Sequence, residues 1–303
     1  MTIVLILLRQ IIIMFLLVVA GYLLFHYGKI SHEGSKSIAN ILIYCSLPCV
    51  IIKGFLVERT PESLKHLLLS TVLAGMAILI SILVSYLLFK KDAIAGFATA
   101  FANPGFFGIP LIIASLGNDA VFFIAAFIFF TNMGQWTYGV SILTKQKAAL
   151  KLKNILTAPF MVAILIGLFF YGTGISMPTL LYQCIDFGSN LNTPLAMFTI
   201  GIYLAQTDIK KMFSKKTLYG VSAARLVLIP LITLGILTLL PASMNDMKLA
   251  ILIASACPVG SNVAVYAQLH NSDYSYAVET VVISTLASLI TIPLLVTISQ
   301  FLW

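Results

Sequence analysis

Charge is scarce in this sequence. Of its 303 residues only 9% are Asp, Glu, Lys or Arg, against 60% hydrophobic residues and a mean hydropathy of +1.05. That balance suits lipid rather than water. Room for a soluble domain is also lacking, because the polar connections are mostly shorter than about ten residues and hold no folded-module pattern. Cysteine is limited to Cys45, Cys49, Cys184 and Cys257, all inside apolar stretches, so a secreted-type disulfide framework is not expected. Cys45 and Cys49 lie one helical turn apart, but His26, His32, His66 and His270 have no ligand spacing, and core thiols are the preferred reading over a metal site. No Gly-x-Ser-x-Gly, His-Glu-x-x-His or Gly-x-Gly-Asp motif occurs, so the chain is not expected to be an enzyme. A Walker lysine motif is absent too, which excludes ATP hydrolysis by this chain. No cofactor is expected. Strand-type alternation is missing, which argues against a membrane barrel.

What remains is apolar sequence in helix-sized pieces. A spanning helix needs about 20 apolar residues, and ten stretches qualify, at roughly 4–25, 37–57, 66–89, 93–114, 119–143, 155–172, 179–206, 217–240, 248–269 and 274–299. The fold class expected is all-α, a single polytopic membrane domain of ten transmembrane helices. The first stretch has no cleavage site and only Arg9 as an early cation, so it reads as a retained helix rather than a signal peptide. Lys and Arg gather after the first, third, fifth and seventh stretches: Lys29 and Lys36, Lys90 and Lys91, Lys145 through Lys153, Lys210 through Lys216. The opposite connections hold Arg59, Lys65 and Lys248. The basic side is expected to be cytoplasmic, which places both termini outside the cytoplasm and the chain in the cell membrane. These lysines flank apolar helices, so the net charge of +8 implies membrane lipid and not nucleic acid as its partner.

Two prolyl breaks interrupt this pattern: Asn103-Pro104-Gly105 followed by Gly108-Ile109-Pro110 in the fourth stretch, and Pro258-Val259-Gly260-Ser261-Asn262 in the ninth. Pro104 and Pro258 are 154 positions apart, as are Asp119 and Asp273; Pro48 and Pro194 each follow a polar residue, Asn40 and Asp186, by eight. Two five-helix halves are implied, residues 1–147 and 151–303. Because five is odd, the second half enters the bilayer inverted, as in many secondary transporters. Proline removes an amide donor, and lipid tolerates unwound backbone only where protein or a water-filled cavity satisfies it. If the fourth and ninth stretches cross, the N-terminal ends of their second halves present partial positive charge and free amides to an anion. Carbonyls freed near Ala102 and Cys257 could hold a cation or a water. Asn103, Ser261 and Asn262 supply neutral polar groups, and Asn132 and Gln135 lie at a depth where they either line the same cavity or join helices.

Through Asn103-Pro104-Gly105-Phe106-Phe107-Gly108-Ile109-Pro110, Pro258-Val259-Gly260-Ser261-Asn262, and Arg225 with Pro230, the chain resembles the auxin efflux carrier family along its whole length. That family includes plant PIN-formed auxin exporters and malonate permeases. The resemblance implies ten helices in two inverted halves, a scaffold of the first, second, sixth and seventh helices, and a transport part of the third to fifth and eighth to tenth. It also implies that the fourth and ninth helices cross, and that Asn103 and Asn262 contact an anionic substrate. The connection at 145–154 is too short to be the long regulatory loop of the plant members. A homodimer through the scaffold helices is left open.

Ionisable residues within apolar stretches are kept only when paired or useful. Arg225 and Glu279 lie at similar depth from the basic side, so a pair between them is one reading; Arg225 bonded to carbonyls is the other. Lys53 either snorkels to the interface or faces the region of Thr193 and Pro194, and Asp186 is either a vestibule carboxylate or a helix-dipole partner. The candidate substrate-binding set is Asn103, Pro104, Gly105, Gly108, Pro258, Gly260, Ser261, Asn262 and Asn132, with Arg225, Glu279, Lys53 and Asp186 as candidates for coupling or charge pairing. The function expected is secondary transport of small organic anions, auxin-like weak acids or dicarboxylates such as malonate, by an elevator-type alternating-access mechanism. An anion-permeable channel, or a carrier of another solute coupled to H+ or Na+, is the alternative; the coupling ion, H+ or Na+ if there is one, is not assigned.

Overall fold

The computed structural model describes residues 3–145 and 156–303. Lys147, Lys151 and Lys153 of the basic connection, and the expected boundaries of the two halves at 147 and 151, lie outside the described residues. Within them every regular element is helical, and the only β-type pairing is one isolated bridge. In chain order the helices are α1 Ile3–His26, α2 His32–Gly54, α3 Pro61–Phe89, α4 Ala93–Ala100, α5 Pro104–Leu116, α6 Asn118–Thr144 and α7 Pro159–Thr173. They continue with α8 Thr179–Asn190, α9 Asn192–Ala205, α10 Ile209–Ser214, α11 Lys216–Leu237, α12 Asn245–Ala256, α13 Asn262–Leu269 and α14 Tyr274–Leu302.

Six of these, α1, α2, α3, α6, α11 and α14, are long and apolar enough to cross a membrane as continuous rods. The expected count was ten. The difference arises where helices are interrupted or short: the fourth stretch divides into α4 and α5, the ninth into α12 and α13, and the seventh into α8 and α9 at a turn at Leu191, while α7 has only 15 residues. The large apolar side chains that remain exposed, among them Leu79, Leu83 and Leu87 on α3 and Leu180 and Phe187 on α8, suit a lipid environment.

Local sequence sets the helix starts. Thr60 and Ser63 form a reciprocal capping box before Pro61 at the head of α3, and the carboxylates of Asp92 and Asp273 accept the amides of Ala95 and Tyr276 to cap α4 and α14, each satisfying an orphan donor. Asp119, the positional match of Asp273, lies in the first turn of α6 without capping it. Instead Gly117, at a φ of +88°, makes the turn from α5 into α6, a conformation that suits glycine.

Packing brings α1 against α9, α2 against α7 and α8, α3 against α4 and α6, and α14 against α11 and α13. The α1–α9 contact is backbone to backbone. A Cβ on Gly201 would lie 2.1 Å from the Val18 carbonyl oxygen and 2.7 Å from the Tyr22 amide, and one on Gly21 would lie 2.6 Å from the Phe198 carbonyl oxygen. Small residues permit such approach in place of any hydrophobic drive within lipid. We therefore expect Gly201→Ala to force the two helices apart at a cost of about 1–3 kcal/mol, read as a lower melting temperature of the detergent-solubilised protein; an unchanged melt would mean that the helices part freely.

The connections after α3 and α9 meet the start of α14 at one end of the molecule. Tyr276 donates to Asp92 Oδ2 at 3.2 Å and Tyr274 to Gln206 Oε1 at 3.2 Å, and Phe25 and His32, which flank the α1–α2 connection, wall the same cavity as Gln206 and Tyr274.

Candidate functional site

The two breaks meet. Phe101 leaves α4 in extended geometry, the chain leaves α12 at Cys257, and Ala102 and Val259 form an antiparallel bridge. Its hydrogen bonds run from Asn103 N to Pro258 O and from Gly260 N to Phe101 O, both 2.9 Å. The Val259 amide is taken by Ser284 Oγ of α14 at 3.0 Å. Backbone groups that proline and glycine release from the helices are thus satisfied by one another, as a buried segment requires. Gly260 belongs here because a Cβ would lie 2.8 Å from the Ala102 carbonyl oxygen, and Gly108 because α5 passes within 2.9 Å, measured from its would-be Cβ, of Cys257 Sγ.

The four half-helix ends are sorted by polarity. The C-terminal ends of α4 and α12, which carry partial negative charge, face Arg225 of α11. This guanidinium is fully buried. Its Nη1 donates to Thr99 O at 3.2 Å, with Ala100 O and Ser81 Oγ at 3.5 Å, and its Nη2 donates to Ser255 O. A cation or a water was expected near Ala102 and Cys257; the guanidinium of Arg225 holds the neighbouring carbonyls of Thr99, Ala100 and Ser255. The N-terminal ends of α5 and α13, which carry partial positive charge, open instead onto a cavity of about 90 Å³, room for several waters.

That cavity is walled by Asn103, Pro104 and Gly105 from the first break, Gly260, Ser261 and Asn262 from the second, Thr131, Asn132 and Gln135 of α6, and apolar side chains including Leu47, Phe106 and Phe160. Asn103 Oδ1 accepts the Phe106 amide at 3.3 Å and caps α5, while its Nδ2 is buried and has no acceptor among the described residues. A buried donor in that state is uncommon. Asn262 Nδ2 donates to Gln135 Oε1 at 2.9 Å, and Asn132 Nδ2 is turned back to Ile128 O at 2.8 Å. Pro258 and Gly108 are not part of the wall; they hold the bridge and the approach of α5 to Cys257.

Four wide π-type turns flank the cavity or the carbonyl ends beside it. Leu42–Ser46 in α2, Pro104–Gly108 in α5, Gln135–Gly139 in α6 and Ala224–Leu228 in α11 respectively supply Ile43, Pro104, Gln135 and Arg225. Such turns re-aim side chains at the expense of ladder hydrogen bonds and gather at functional sites.

Arg225 and Glu279 are not paired. Glu279 Oε2 accepts from Lys215 Nζ at 2.5 Å, beside the Tyr276 ring, because the carboxylate faces the connection preceding α11 rather than the breaks. Lys53 and Asp186 do pair, at 2.6 Å between α2 and α8. Sequence reasoning also passed over Asn192, which donates from α9 to Gly105 O at 3.2 Å, and Ser255 and Ser284. Asn192 lies two positions before Pro194, the one signal that could have marked it; the serines gave none.

The chain matches the family described as "Membrane transport protein" over residues 6–156 and 150–296. It is 27% identical over 296 residues to a protein of Rhizobium meliloti described as "Putative malonate transporter", covering 91% of this chain and 90% of that one. To an uncharacterized transporter of Methanocaldococcus jannaschii it is 24% identical over 303 residues, covering 94% of this chain and 96% of the relative.

Proposed function

Since the chain belongs to the membrane transport protein family, we propose that it is a secondary carrier of small organic anions, with the cavity between the two breaks as its substrate site. One observation carries the reading: both positive helix ends and Asn103, whose Nδ2 is buried without an acceptor among the described residues, wall the same cavity, while the negative ends are held by Arg225. Such a space favours a carboxylate, which accepts from amides and answers the dipoles. Asn262 and Ser261 complete a neutral polar lining, so the site can be emptied without leaving a fixed charge uncompensated. The name of the Rhizobium relative points to the same class of acid.

In this reading α1, α2, α7, α8 and α9 are the scaffold, and α3 to α6 with α11 to α14 are the moving part. The two halves repeat with inverted topology, offset by the spacing of Pro104 and Pro258. Asn192 Nδ2 to Gly105 O and the seat of Leu47 on Gly105 are the contacts between the parts that must exchange as the site changes sides. The basic connections face the cytoplasm and both termini the opposite side of the cell membrane.

Uptake of labelled malonate and indole acetate by proteoliposomes, with and without imposed pH and sodium gradients, tests the proposal. Saturable, competable uptake is the expected outcome, and the gradients identify any coupled ion. Flux that never saturates and resolves into single-channel steps would replace the carrier with a channel.

A further inference from the structure

A second polar cavity, of about 260 Å³, lies further along α5. Its walls include Pro110, Ile113 and Ala114 of that helix and Val50, Lys53 and Gly54 of α2, whereas the first turn of α5 and Ile43 and Leu47 of α2 wall the cavity described above. From Pro104 to Ala114 is about 15 Å at 1.5 Å per residue. Between the two spaces lies the contact of Leu47 and Asn192 with Gly105. Lys53 is the charged side chain in the wall of the second cavity, accompanied by Gln10, Asn118, Ser189, Asn190 and Thr193.

The Lys53–Asp186 pair is lopsided. The lysine side chain is 13% exposed and the aspartate 38%; Lys53 lines the cavity and Asp186 does not. An ammonium has three donors, and among the described residues Lys53 has one acceptor, Asp186 Oδ1. The carboxylate has help of its own from Asn190 Nδ2 at 3.4 Å. A cation held at the edge of a polar space of this size by a more exposed carboxylate is a place where one carboxylate can be exchanged for another.

We propose that this cavity is a second carboxylate station, on the side of the α5 barrier away from the basic connections, where the transported acid takes the place of Asp186 as acceptor for Lys53. The proposal rests on the carrier reading above. It assigns Asp186 the role of an internal competitor, which keeps the ammonium compensated when the station is empty and sets how tightly an acid is held there.

Malonate uptake by right-side-out and inside-out membrane vesicles tests it. Lys53→Gln is expected to raise the half-saturating malonate concentration about tenfold or more, the worth of one charge-assisted hydrogen bond. The rise should appear only on the face opposite the basic connections. Asp186→Asn, which removes the competitor and keeps the shape, is expected to lower it on that same face, and this variant carries the test if Lys53→Gln does not fold. A pair that merely braces α2 against α8 predicts the reverse pattern: both substitutions lower the melting temperature and reduce uptake together, on both faces alike. That result, or an unchanged half-saturating concentration in both variants, overturns the station while leaving the carrier intact. Wild-type vesicles that take up no acid overturn the carrier reading and the station with it.

Discussion

Arg225→Leu is expected to unfold the centre of the molecule. Thr99 O, Ala100 O and Ser255 O all look to this one guanidinium, and each buried carbonyl that loses its donor costs about 1–3 kcal/mol. Together that is a large part of the ~5–15 kcal/mol by which a typical domain is stable. The leucine is also smaller, which adds a cavity in a fully buried position. The expected outcome is a protein recovered in low yield, melting many degrees below the wild type and inactive in uptake. Arg225→Lys is expected to recover little, because a single ammonium cannot reach the ends of α4 and α12 at once as the two arms of the guanidinium do. A Leu variant with a wild-type melt would show that the two carbonyl ends are satisfied without the cation.

Asn103→Asp separates folding from transport. The substitution keeps Oδ1 in place to cap α5 against the Phe106 amide and keeps the shape of the side chain, but it replaces the unpartnered Nδ2 donor with a negative oxygen. Repulsion of an incoming carboxylate is added to the lost hydrogen bond, itself worth about 1.5–3 kcal/mol or roughly ten- to a hundredfold in affinity. Uptake is expected to vanish from a protein that still elutes and melts as folded. Asn103→Ala loses the cap as well, about 1 kcal/mol, and is expected to be inactive and slightly less stable. Asn262→Ala is expected to abolish uptake too, while leaving Gln135 Oε1 without its donor. Normal uptake by the Asn103 and Asn262 variants would move the substrate site elsewhere.

The positions of the breaks were legible because proline and glycine act on their own backbone: α5 starts at Pro104, and α12 ends two residues before Pro258. Depth along the membrane normal was legible too, since it follows from counting residues, and it put Asn132 and Gln135 at the level of Asn103, with which they wall one cavity. Azimuth around each helix was not. Arg225 and Glu279 share a depth yet turn to different neighbours, the one to carbonyls whose acceptor strength is independent of residue type, the other to Lys215 in a connection read as surface. Lys53 and Asp186, 133 positions apart, meet only because α2 packs on α8, which no local pattern announces. Of the ten apolar stretches, the fourth and ninth were expected to be broken and are, whereas the division of the seventh was not foreseen, because an apolar run measures solubility in lipid and says nothing of whether its backbone stays wound.

The short bridge between Ala102 and Val259 ties the N-terminal ends of α5 and α13 directly to each other. Ends fastened together in that manner travel as a unit, so a solute would meet the same grip on whichever face it is loaded. In the proposed carrier the crossover itself then sets no preference for import or export, and any difference between the faces comes from what lies beyond it. Concentration and membrane voltage would choose the direction, and one protein could run either way as a cell's supply of the acid rises and falls.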